Sequence, residues 1–126
     1  MSALIMVVDD DPSIVFMMKE NLSSVGYRVV EGYDGETAVR LALTAHPELI
    51  LMDLHMPGIS GLEAFRQLRS NPATMGIPVL FLTGDGSVTL PPELAHEPAT
   101  DSLPKTLPLE DLNKRIARML AARPSR

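Results

Sequence analysis

The chain has 126 residues, 45% of them hydrophobic and 21% charged, with a formal net charge of −5; that balance is ordinary for one globular domain, and an acidic chain without a basic stripe is not built as a general nucleic-acid binder. It has no cysteine, which rules out a disulfide framework or a thiolate metal site. No apolar run approaches the roughly 18 residues of a membrane span, and acidic residues come too early for a signal peptide, so a single soluble, cytoplasmic domain over residues 1–126 without membrane contact is expected.

Leu4–Val8 is a continuous apolar run that ends at Asp9, Asp10 and Asp11, the pattern of a strand buried on both faces. Asp11 before Pro12 is a helix start, with an acid as N-cap and proline at the first helical position. Ile14, Met17, Met18, Leu22 and Val25 then share one helical face, and Gly26 is the expected C-cap. Tyr27–Glu31 reads as a short strand. Asp34 and Gly35 open a second helix that runs to about Ala45 and is stopped by Pro47.

Leu49–Met52 form the next buried strand, which ends abruptly at Asp53; Met56, Pro57 and Gly58 then turn the chain. A carboxylate at the end of a buried strand is costly without a partner, so chemistry is expected at Asp53. Gly61 to about Arg69 reads as a third helix, with Leu62, Phe65 and Leu68 on one face and Asn71-Pro72 at its end. Pro78 opens a fourth strand, Val79–Leu82, that closes at Thr83, and Leu103–Pro104 is a weak fifth strand ending at Lys105. Pro108 starts a last helix with Leu109, Leu112, Ile116, Met119 and Leu120 on one face, and Arg123 to Arg126 read as a frayed tail. There is no internal repeat. The eight methionines read as core filler, and His46 and His96, beside prolines in expected loops, receive no role.

Strand and helix alternate five times, which predicts an α/β fold: a doubly wound five-stranded parallel sheet with right-handed crossovers and helices on both faces. Ligands in such sheets sit beyond the carboxyl ends of the strands. Those ends carry Asp9 and Asp10, Asp53, Thr83 and Lys105. Each alone has an ordinary explanation, such as helix capping or a solvated lysine; together they converge on one edge. Three carboxylates in one pocket repel, and a divalent cation with hard oxygen ligands, Mg²⁺, removes the conflict. Lys105 adds a cation and Thr83 a hydroxyl donor. The set suits an aspartyl phosphate: a carboxylate nucleophile surrounded by a metal, a cation and a hydroxyl.

At this point the sequence resembles the receiver domain of two-component response regulators, over about residues 3–122. The resemblance rests on Val7–Pro12, on Leu51–Gly58 followed by Gly61–Glu63, on Pro78–Thr83 and on Leu103–Lys105. It implies the flavodoxin-like strand order 2-1-3-4-5, with Asp53 as phosphoacceptor and Asp10 as a direct Mg²⁺ ligand. It further implies Asp9 acting on the metal through water, His55 offering its backbone carbonyl, Thr83 as the switch hydroxyl and Lys105 on a phosphoryl oxygen. The donor it implies is a sensor histidine kinase, a phosphotransfer protein or a small phosphodonor, and the response is an altered surface for an output domain or partner protein. The only catalysis implied is of the domain's own phosphorylation and dephosphorylation. The His55 ring is expected to face solvent, and Asp85 to lie near the rim.

Three departures stand out against that family. Gly84–Pro98 carries Pro91-Pro92 where a fourth helix is expected; interior prolines cost about 3 kcal/mol or more, so that helix is expected to be shortened or irregular. Ser102 replaces the usual aromatic residue, and Thr106 the usual proline after the lysine, for which a cis bond would cost about 2.5–4 kcal/mol. Two alternatives follow: a degenerate receiver acting as a binding module, or an aspartate-nucleophile phosphatase of the haloacid dehalogenase type. The second is echoed by Asp9 and Asp11 but opposed by Ser13 and by the short chain.

Overall fold

The structure, a computed structural model, describes residues 2–84 and 100–122. The expected irregular helix within Gly84–Pro98, Asp85 and the tail from Arg123 lie outside the described residues, apart from Gly84 itself. The elements run β1 (Leu4–Val8), α1 (Pro12–Val25), β2 (Arg28–Gly32), α2 (Gly35–Ala45), β3 (Leu49–Asp53), α3 (Gly61–Arg69), β4 (Val79–Thr83), β5 (Thr100–Pro104) and α4 (Leu109–Ala122). The five strands form one parallel sheet in the order β2-β1-β3-β4-β5. Among the described residues no helix is long and apolar enough to cross a membrane, and no peptide bond is cis.

Alternation along the strands divides the core in two, because successive side chains point to opposite faces. Met6, Val8, Ile50, Met52, Val79 and Phe81 pack with Ala38 and Ala42 of α2 and with Ala64, Phe65 and Leu68 of α3. On the other face Ile5, Val7, Leu49, Leu51, Leu80 and Leu82 pack with Val15, Met18 and Leu22 of α1 and with Leu112 and Ile116 of α4. β3 and β4 are buried throughout, as their unbroken apolar runs require.

Local details differ from the expectations in three places. β2 is shifted by one residue, to Arg28–Gly32. The buried face of α1 is Val15, Met18 and Leu22, while Met17 and Val25 are exposed; residues 14–18 are all apolar, so periodicity cannot choose among them. β5 starts at Thr100, not Leu103, and pairs with β4 from Val79↔Thr100 to Thr83↔Pro104; its polar residues hide it because it ends the sheet and is only half-buried. The methionines also divide: Met6, Met18 and Met52 are in the core, whereas Met17 and Met75 are exposed.

Caps follow simple chemistry. The Asp11 side chain accepts from the Ser13 N–H with Pro12 at the first turn, and Gly26 closes α1 at φ 106°. The Asp34 carboxylate caps α2 through the Thr37 N–H at 2.7 Å. His46 closes α2 in the left-handed region at φ 50°, a position more often held by Gly or Asn.

Candidate functional site

Four strand ends meet at the carboxyl edge of the sheet. Asp9 follows β1, Asp53 closes β3, Thr83 closes β4 and Lys105 follows β5. Neighbouring strands hold these residues in place: Asp9 N donates to Gly32 O at 3.2 Å, Leu54 N to Leu82 O at 3.3 Å and Lys105 N to Thr83 O at 2.7 Å. Asp9, Asp53 and Thr83 are buried, and Asp10 is exposed beside them.

The side chains form a charged cluster. Lys105 Nζ lies 2.7 Å from Asp9 Oδ2 and donates to Asp53 Oδ2 at 3.1 Å. Asp9 Oδ1 accepts from the Asp11 N–H at 2.9 Å, and Asp53 Oδ1 accepts from the His55 N–H at 3.2 Å. Burial alone would lower the Lys105 pKa, but the hydrogen bonds and charges of Asp9 and Asp53 outweigh it and raise the value above the usual lysine range. One ammonium therefore serves two buried carboxylates.

The acids also suit a metal. One oxygen from each of Asp9, Asp10 and Asp53 lies within 4.8 Å of the others. Asp9 Oδ2 is buried, with the Lys105 ammonium 2.7 Å away. An all-oxygen donor set of three carboxylates within reach of one another fits a hard divalent cation such as Mg²⁺. With three carboxylates against one ammonium the cluster is two charges negative, which a divalent ion balances. Asp10 also lines a cleft of about 520 Å³ with Tyr33, Glu36, Pro57 and Ile59.

The structure thus brings Asp9, Asp10, Asp53 and Lys105 together, with Thr83 at the same edge. His55 enters through its backbone N–H, and the residue is otherwise exposed. Two supporting glycines had only faint sequence signals. A Cβ at Gly61 would lie 2.4 Å from the Asp53 carbonyl oxygen, so α3 starts in direct contact with the end of β3. Gly35 meets the same turn from α2. The signal in both cases was a glycine at a first helical position, where most other residues form helix better.

Comparisons with known proteins agree with this geometry. The family profile described as "Response regulator receiver domain" matches residues 5–117. The chain is 34% identical over 119 residues to Protein PilH from Pseudomonas aeruginosa, covering 94% of this chain and 98% of PilH. It spans only about half the length of other curated relatives, 48% and 51% in two cases. Among solved structures, chemotaxis response regulator CheY4 of Vibrio cholerae superposes with a TM-score of 0.85 at 31% identity, covering 94% of this chain and 99% of that one. The receiver domain of sensor histidine kinase PA1611 from Pseudomonas aeruginosa, with a magnesium ion coordinated in its active-site cleft, gives a TM-score of 0.82 at 26% identity over 97% of this chain and all of that one.

Proposed function

The chain belongs to the response regulator receiver domain family, and from that membership we propose that it works as a phosphoryl acceptor, with Asp53 as the nucleophile. The observation that carries this reading is the fixing of the Asp53 carboxylate from two sides: Lys105 Nζ holds Oδ2 and the His55 N–H holds Oδ1. A carboxylate gripped in this way is oriented before the donor arrives, which is where much of the barrier reduction in phosphoryl transfer originates.

In the step itself, an Asp53 oxygen attacks the phosphorus of a phosphohistidine or of a small acyl phosphate. The new O–P bond forms as the donor's N–P or O–P bond breaks, and the donor's imidazole or carboxylate leaves with that electron pair. Lys105 keeps its proton and stabilises charge on the phosphoryl oxygens. The Thr83 hydroxyl, at the adjoining strand end, donates a hydrogen bond to one of them. Asp10 and Asp53 would hold Mg²⁺ with the His55 carbonyl, and Asp9 would act through water; the ion, when bound, neutralises charge on the transferring group. Hydrolysis of the aspartyl phosphate by water returns the domain to its starting state, so the chemistry is confined to the chain's own carboxylate.

The donor proposed is a sensor histidine kinase or phosphotransfer protein in the cytoplasm. The response is a population shift at a surface read by an output domain or partner protein. No direct contact with nucleic acid is proposed for this site. A degenerate receiver is disfavoured by the complete charged cluster, and nothing in the fold or in the relatives supports the phosphatase alternative.

The test is intact mass after incubation with acetyl phosphate, with and without Mg²⁺. The native chain should gain one phosphoryl group only with Mg²⁺, and Asp53→Asn should gain none. A native chain that never gains it, under conditions where a control receiver does, contradicts the reading.

A further inference from the structure

We propose that Gly35, the first residue of α2, is a positioning residue for Asp53 and acts on it through Ile59; this rests on Asp53 being the phosphoacceptor. Gly35 is buried and has no left-handed backbone that would require glycine. In a helical position alanine is normally the better residue by about 1 kcal/mol. Space, not conformation, demands glycine here. A Cβ at residue 35 would lie 2.6 Å from Ile59 Cγ1, 3.0 Å from the Ile59 carbonyl oxygen and 3.1 Å from Ile59 Cδ1.

Ile59 cannot easily yield. Its branched Cβ leaves little freedom at χ1, its side chain packs against the α2–α3 core, and one of the close atoms is backbone. Ile59 lies in the turn that joins Asp53 to α3. From the other side Gly61 clamps that turn, where a Cβ would lie 2.4 Å from the Asp53 carbonyl oxygen and 3.0 Å from Leu54 Cα. Two helix starts therefore grip one turn, α2 at Ile59 and α3 at Asp53 and Leu54. Between the grips, the His55 N–H holds Asp53 Oδ1 at 3.2 Å. Gly61 touches Asp53 itself; Gly35 reaches it only through the turn. A methyl group at residue 35 pushes Ile59 away, shifts the turn and spoils the His55 hydrogen bond.

The experiment compares the native chain with Gly35→Ala, Ile59→Ala and the double variant. It reads the rate of phosphoryl uptake from acetyl phosphate with Mg²⁺, the amide resonance and hydrogen exchange of His55, and thermal unfolding. Gly35→Ala should take up phosphate more slowly by about tenfold or more, since a misplacement of about 1 Å can cost about a hundredfold, with a shifted His55 amide. The double variant should be faster than Gly35→Ala, because truncating residue 59 removes both side-chain contacts and leaves the methyl only the carbonyl oxygen at 3.0 Å. Uptake by Gly35→Ala at the native rate with an unmoved His55 amide overturns the proposal, and so does a double variant as slow as Gly35→Ala. If Gly35→Ala does not fold, Ile59→Ala decides alone: slower uptake and faster His55 exchange support the proposal, and native behaviour overturns it. A native chain that takes up no phosphate refutes the phosphoacceptor reading instead, and the His55 amide still reports on the clamp.

Discussion

Lys105 is the residue on which the charge balance of the site turns. Sequence alone places it at a strand end beyond a weak strand, and places the acids at neighbouring ends; it does not say which carboxylates the ammonium reaches. That depends on a contact spanning 52 residues, which only the assembled sheet defines. Removing the ammonium leaves Asp9 and Asp53 buried and facing each other, and a buried group stripped of its partner costs about 1–3 kcal/mol. Lys105→Met should lose stability of that order in urea denaturation without divalent cation. Added Mg²⁺ should stabilise this variant more than the native chain, since the ion then relieves more repulsion; equal effects of Mg²⁺ on both would contradict the shared-charge account. The pH dependence has a definite sign. A raised pKa means that the lysine's contribution is fully present below its ordinary value of 10.5 and is lost as pH rises through the raised value. The gap between native and Lys105→Met should therefore persist through neutral pH and close in strong alkali.

At the scale of elements, legibility followed burial. β3 and β4 are apolar runs covered on both faces, and both were readable to within a residue. β5 was not, because Thr100, Asp101 and Ser102 give an edge strand no apolar signature. Asp101 instead ion-pairs with Arg115 of α4, fastening the strand to the helix beside it. The face of α1 is legible only in part: Met18 and Leu22 are buried and Ile14 packs beside them as the spacing predicts, but five consecutive apolar residues, Ile14 to Met18, hide that Val15 rather than Met17 faces the core. Its contact with α4 includes a reciprocal amide pair, Asn21 with Asn113, at 2.7 and 3.2 Å, which no local pattern reveals. The start of α2 was legible because Asp34 before Gly35 is a capping signal. The Thr37 backbone N–H holds the Asp34 carboxyl below its ordinary value of 3.8, so its contribution is present above that value and is lost as pH falls through the depressed one. Asp34→Ala should cost about 0.5–2 kcal/mol at neutral pH, and the difference should shrink below pH 3.8. A difference that stays constant on acidification, measured by denaturation at several pH values, would show that the cap does not act through its charge.

For the whole molecule, the alternation of strands and helices was sufficient to predict a parallel sheet with two helical layers, because period-2 and period-3.6 burial leave distinct traces in sequence. Strand order was not available from that pattern, since it depends on long-range pairing; it came from the resemblance to receivers, and the observed order agrees. The edge of the sheet was legible as a set of polar endings, but its working geometry arises from the two cores that fix four strands in register. Within that edge three aspartates lie close enough to share a metal ion, so the identity of the phosphoacceptor among them is the central claim. The direct measurement is borohydride trapping after incubation with acetyl phosphate and Mg²⁺, which reduces an acyl phosphate to homoserine, followed by tandem mass spectrometry of the digested chain. The account predicts homoserine at residue 53 and unmodified aspartate at residues 9, 10 and 11; homoserine at any of those three, with residue 53 intact, would contradict it.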